Sequence, residues 1–259
     1  MFVEADDYRQ IYVIAKNEIR KLIRGKRFLI YVLLAVVIFS LISFLPYALG
    51  EHWESTTMFL AAHFTFTSIF VVIAVTLFTS STYVSEFEER TALILFTRPV
   101  KKTTIFVGKF VGCFILEAVV LLGYYAAMAV ATFPFFDDSP TMGQYLTSFG
   151  CIMLYLFAAS GVAALFSVIM KKAGTSAIMT FVTVLLLISI VSGVIFFATS
   201  EFPWYMLDQA ANSIYAAIPS IAVSLDVTDL DVAKAMLTMI VWGAVTVFLS
   251  WFIFTKKEM

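Results

Sequence analysis

The sequence predicts an all-α polytopic membrane protein. It reads as six transmembrane helices with an N-terminal amphipathic interfacial helix, a cytoplasmic helix between spans two and three, and short extracellular helices before span six. Three observations predict this. The 259 residues are 61% hydrophobic and only 14% charged, with mean hydropathy +0.96, whereas soluble domains run near 45–50% apolar and about 25% charged. Six apolar stretches are each long enough to span a bilayer, which takes about 20 residues of helix. The charges are also sorted by side, and that sorting only makes sense across a membrane.

The sorting sets the expected orientation. With six spans both termini share one side. That side receives every Lys and Arg of the 17 except Lys234. The other side carries Glu51, Glu54, Asp137, Asp138, Glu201, Asp208, Asp226, Asp229 and Asp231. The positive-inside rule puts the basic side, and so both termini, in the cytoplasm. The chain is expected to be a multi-pass protein of the cell membrane. Its net charge of −1 hides the polarity and gives no case for nucleic acid as a partner.

Residues 8–24 are the amphipathic helix. Tyr8, Ile11, Tyr12, Ala15, Ile19, Leu22 and Ile23 recur at three- and four-residue steps, and the basic residues lie largely elsewhere. Such a helix suits the membrane interface. The first span is 28–49. Its apolar run is too long for the core of a signal peptide, and a charged segment precedes it. The remaining spans are 58–78, 110–133, 145–170, 177–198 and 235–254. A β-barrel would show ten-residue alternation instead. The whole of 1–259 reads as a single transmembrane domain.

Between spans two and three the chain turns polar. Ser85 and Glu88 have the spacing of a capping box, and Glu86, Glu88 and Glu89 would sit at the positive end of the helix dipole. The spacing predicts a helix over 85–97, ended by Pro99, which disfavours helix at Arg98. Lys101, Lys102 and Lys109 then anchor span three. A plain connector needs only a few residues; this one spends about twenty on a defined element. That length favours a surface made to dock a partner.

The outer segment 199–234 is not simply hydrophilic. Phe202-Pro203-Trp204-Tyr205 is an aromatic cluster of the interfacial kind. Leu207, Ala211, Ile214 and Ile218 then continue a helical stripe that Pro219 is expected to close, giving one or two short helices. Cys113 and Cys151 fall at opposite depths, so no bridge between them is expected. Gly108-x-x-x-Gly112 permits close helix approach, either inside the chain or at a dimer seam. Glu117 is the exception within the apolar runs, about 12 Å deep at helical rise from Lys109. An intramembrane carboxylate is a functional-site hypothesis by default. His63, Tyr124 and Tyr155 are its expected partners if it is not facing a cavity.

The run from Glu88 to Lys109, with Thr91, the leucine-rich turn, Pro99-Val100 and Gly108-Lys109, resembles the loop after the second span of ABC-2 type transporter permeases. Arg90 stands where that family has glycine, and Lys101-Lys102 where it has Ser-Arg. The layout of amphipathic helix, six spans and outer segment is also similar. The resemblance implies that 85–97 is a coupling helix and that Glu86, Phe87, Glu88, Glu89, Arg90 and Thr91 contact a separate ATP-binding subunit. It implies that 8–24 is a connecting helix, that a second permease chain completes the path, and that ATP and Mg are held by the partner and not by this chain.

Other classes fit less of the chain. It has no GxxxxGK[ST] phosphate loop, so ATP hydrolysis is expected in the partner and this chain is a non-catalytic subunit, an exporter by the resemblance. A scaffold docking an ATPase without transport would use the same loop. An intramembrane serine enzyme would need more than Ser160-Gly161, because Ala158 replaces the motif glycine and no histidine follows His63. Two histidines and no HExxH do not make a typical metal site. An ion-driven transporter would carry more intramembrane charge and broken helices.

Overall fold

A computed structural model describes residues 5–50, 52–88, 100–134, 139–228 and 230–257. Helix α1 (Ala5–Arg24) stops at Gly25, and α2 (Lys26–Ala48) is the first span. The second span is α3 (Thr56–Leu77), extended by the short α4 (Thr79–Thr82) and α5 (Val84–Glu88). The third and fourth are α6 (Lys102–Thr132) and α7 (Met142–Ile169). The fifth joins α8 (Ala173–Val182) to α9 (Ile188–Thr199) through one π turn, Thr183–Leu187. Three short helices follow, α10 (Leu207–Ala211), α11 (Ser213–Ala216) and α12 (Pro219–Ser224), before the sixth span α13 (Val232–Lys256). Six helical stretches are long and apolar enough to cross a membrane, and no strand occurs among the described residues. The chain is an all-α polytopic membrane protein.

Polar residues start several of these helices. Ser55 Oγ accepts the Met58 amide at 3.3 Å. Thr141 and Gln144 form a reciprocal capping box on α7. Asp231 accepts the amides of Ala233 and Lys234 at the start of α13.

Spans two, three and four form the core. Of their apolar windows 56, 56 and 67% is buried, against 33% for span six, 17% for span one and 11% for span five. Spans one and five are therefore peripheral in the single chain. Spans four and six cross at two glycines. A Cβ at Gly161 would strike Thr246 and come within 3.2 Å of the Gly243 carbonyl, and one at Gly243 would strike the Phe157 ring.

One boundary differs from expectation. Span three begins at Lys102 and not at Phe110, because its first two turns pack on α1 and are held as helix by that contact. The outer stripe stops before Pro219, which then occupies the first turn of α12, where its missing N–H costs nothing. Leu207, Ala211, Ile214 and Ile218 are all buried, as the stripe requires. Cys113 and Cys151 are buried free thiols.

Candidate functional site

The lysine-bearing end of the bundle, here the basic end, is built on the contact between α1 and span three. The two run in the same chain direction. A Cβ at Gly108 would lie 2.8 Å from Ile14 Cβ, and one at Gly112 would lie 2.9 Å from the Ala15 carbonyl oxygen. The GxxxG pair thus serves packing inside the chain: bare glycine surface lets α1 lie against α6. The buried face of α1 also differs from the expected stripe. Of that stripe Ala15 is buried while Tyr8, Tyr12 and Ile23 are exposed, and Asp7 and Glu18, which lie outside it, are buried as well.

Two carboxylates on that face require cations, and span three supplies them. Lys101 Nζ donates to Asp7 Oδ2 at 2.8 Å. Lys109 Nζ donates to Glu18 Oε2 at 2.9 Å and to Glu86 Oε1 at 2.8 Å. Lys21 lies 3.7 Å from the same Glu86 oxygen. Two cations thus face two carboxylates, and the Lys109 and Glu18 side chains are only 6 and 7% exposed. A buried pair of this kind fixes geometry more than it adds stability, and breaking one side is costly. Lys102 has a different task. Its ammonium donates to the carbonyls of Thr255 and Lys257 at the carboxyl end of span six, where a cation is favoured by the helix dipole.

The start of the polar loop differs from the expected capping box. Ser85 lies inside α5, and its hydroxyl donates to the Thr82 carbonyl at 3.4 Å. The helix arrives from span two already formed. It breaks at Tyr83, where the amides of Tyr83 and Val84 donate to Ser167 Oγ at 2.9 and 3.2 Å. Glu88 turns away from Ser85 and accepts the Ala173 amide at 2.8 Å, placing a carboxylate on the positive end of α8. Phe87 packs edge-on against Phe254, and Lys257 Nζ sits 4.3 Å above its ring. Burial, and then the nearby Lys171 charge, hold the Lys257 ammonium below the usual lysine range. Glu86, Phe87 and Glu88 are thus all engaged within the chain. Glu89, Arg90, Thr91, Arg98 and Pro99 lie outside the described residues.

Glu117 lies fully buried among spans two, three and four. Its expected partners are not the observed ones. Thr79 Oγ1 donates to Oε1 at 2.8 Å and Ser160 Oγ to Oε2 at 3.1 Å. His63 is occupied elsewhere: Nδ1 is 2.9 Å from the Phe59 carbonyl and Nε2 is 3.2 Å from Ser43 Oγ. A carbonyl accepts only, so Nδ1 carries the proton and Nε2 accepts from the serine.

The residues missed by sequence reasoning are the run Thr79-Ser80-Ser81-Thr82. Each member ties the second span to another element. Thr79 binds Glu117, the Ser80 carbonyl accepts Ser176 Oγ at 2.7 Å, Ser81 Oγ accepts Arg27 Nη1 at 2.9 Å, and Thr82 Oγ1 lies 3.0 Å from Cys113 Sγ. Four consecutive hydroxyls at the end of an apolar run were the available signal.

At the opposite end, Asp208 lies in the first turn of α10 and takes a hydrogen bond from the Gln209 side-chain amide, Nε2 to Oδ2, at 3.2 Å. Tyr155, Asn212 and Tyr215 line the same small cleft. Burial is the main force pushing the Asp208 carboxyl above its ordinary range. Phe202, Trp204 and Tyr205 remain exposed, and the Tyr205 carbonyl accepts the Trp242 indole N–H at 3.0 Å.

These features define a polytopic membrane protein whose amphipathic helix and polar loop are locked to one end of its third span. The family model of the ABC-2 family transporter protein matches residues 14–188, which takes in the second half of α1, the polar loop, the first four spans and the first part of the fifth. The chain belongs to that family and is an ABC transporter permease, a membrane transport component. No curated protein matches it in sequence.

Proposed function

We propose that this chain is the permease subunit of an ABC exporter of the cell membrane, driven by a separate ATP-binding subunit that docks on its basic end. The termini and the polar loop face the cytoplasm in this reading, as the one-sided lysines and arginines favour. The supporting observation is the Lys109 node. One ammonium joins α1, the end of the second span and the third span, so a push on the loop or on α1 is delivered to the same helices. Such a push shifts inward-open and outward-open populations only as far as the partner binds the two states differently.

The inward contacts divide the expected docking residues by task. Glu86, Phe87 and Glu88 position the loop, and Glu89, Arg90 and Thr91 touch the ATPase. A second permease chain, identical or related, completes the path. ATP and Mg are bound by the ATPase alone.

The test is to seek an ATPase with a phosphate loop in the neighbouring reading frame, co-purify it with this chain, and follow its ATP turnover in proteoliposomes. Glu89→Lys with Arg90→Glu is expected to loosen the complex or uncouple turnover. Unchanged association and coupling in that variant would overturn the docking assignment. Association without any permease-dependent change in turnover would favour a scaffold instead.

A further inference from the structure

A cleft of about 700 Å³ lies between α1 and the basic ends of spans one, two and five. Three cations line it: Lys21, Lys26 and Arg27. Two carboxylates, Glu18 and Glu88, also reach it, but both are already in use. Glu18 takes the Lys109 ammonium, and Glu88 takes the Ala173 amide. Lys26 and Arg27 have no ion-pair partner among the described residues. Lys21 has a long one, 3.7 Å to Glu86. Arg27 is aimed by Nη1, which donates to Ser81 Oγ. The cleft therefore holds a surplus of positive charge with an oriented guanidinium.

Its depth says what that charge meets. Lys26 is the first residue of span one and Ala173 the first of span five, so the cleft sits at the level where helices enter the bilayer. Immediately beyond it Leu29 and Ile30 are exposed on the outer surface of span one, a track for hydrocarbon. A basic pocket between spans at headgroup depth is the arrangement that holds acidic lipid headgroups. Guanidinium and ammonium groups both suit phosphate oxygens.

We propose that this cleft binds the phosphate headgroup of an anionic phospholipid, with an acyl chain lying along Leu29 and Ile30. The shared chemistry is a phosphate oxyanion; the hydrocarbon track favours a lipid over free phosphate. The site rests on the membrane reading of the chain, and only the leaflet it faces rests on the proposed orientation. Its walls include α1 and Ser85 of α5, so a bound headgroup braces the two elements expected to move with the ATPase.

The experiment uses the full chain alone in detergent, by native mass spectrometry with added dioleoyl phosphatidylglycerol or dioleoyl phosphatidylcholine. Preferential retention of phosphatidylglycerol is expected, weakened roughly five-fold for each cation removed, in Lys26→Gln and Arg27→Gln and further in the double variant. Lys21→Gln, at a side chain 52% exposed, supplies a variant with little folding risk and is expected to weaken retention likewise. Lys256→Gln, outside the cleft, is expected to keep it. Equal retention of both lipids, or wild-type preference in the cleft variants, overturns the proposal. Binding of inorganic phosphate with no phosphatidylglycerol preference overturns its lipid source. No ATPase is present, so failure here is separate from failure of the docking assignment.

Discussion

Lys109 and Glu86 meet at 2.8 Å although they belong to different helices. Glu18 of α1 shares the same ammonium. A residue that reads as an interfacial anchor is a buried three-way joint, and a residue that reads as a docking contact is one of its arms.

Replacing Lys109 by Met leaves buried Glu18 without its cation and Glu86 with only Lys21, 3.7 Å away. The expected cost is about 3–5 kcal/mol, the usual size for one side of a buried pair. A fall in thermal unfolding temperature of the purified protein measures it. Lys101→Met should cost less, because the Lys101 side chain is 34% exposed and water screens it.

Two glycines of span three should respond to alanine with opposite signs. At Gly112 the new Cβ meets the Ala15 carbonyl at 2.9 Å, and overpacking costs about 1–3 kcal/mol. At Gly123 nothing lies within 4 Å, so alanine gains about 0.5–1 kcal/mol of helix propensity. Hydrogen exchange over α1 separates the two, rising only in Gly112→Ala.

Glu117→Gln keeps an acceptor beside Thr79 and Ser160 and is expected to cost under about 1 kcal/mol, the size of one ordinary hydrogen bond. Glu117→Ala leaves both buried hydroxyls without an acceptor, at about 1–3 kcal/mol each. Thermal unfolding of the two variants side by side gives the difference.

The outer segment should be more stable in acid. Burial raises the Asp208 carboxyl in the folded protein, so folding favours its protonated form. That contribution is full below the unfolded value of about 3.9 and is lost as pH rises through the higher folded value. The Gln209 side-chain amide, the Ser192 hydroxyl, Asn212 and the phenols of Tyr155 and Tyr215 are among its polar neighbours. Hydrogen exchange of the segment spanning α10 to α12 should slow as pH falls across that window after correction for intrinsic rates. Asp208→Asn should abolish the trend.

The spans were legible because each is a long apolar run, and a run of that kind has one physical solution in a bilayer. The outer stripe from Leu207 to Ile218 was legible for a related reason: its three- and four-residue spacing survives in the buried face. The face of α1 was only half legible. Asp7, Ile11, Ile14 and Glu18 also repeat at helical steps, but the apolar pattern alone does not show that carboxylates belong to the packed face, because their cations lie far off in sequence. The capping box at Ser85 failed on the same account. Ser85 and Glu88 have the right spacing, yet the amides at the break before α5 are taken by Ser167 of span four, so Ser85 is not the cap and Glu88 is released to Ala173.

By itself the sequence determined that this chain is a six-span α-helical membrane protein with its positive charge on one side. Those properties follow from local composition and from the cost of placing charge or bare backbone in hydrocarbon. Only the tertiary structure decided which charges are spoken for. Lys109, Glu18 and Glu86 are each ordinary surface residues in the chain's own order. They become a single buried joint because Gly108 and Gly112 let α1 approach span three closely enough for water to be excluded, and a desolvated charge must then find its partner inside the protein.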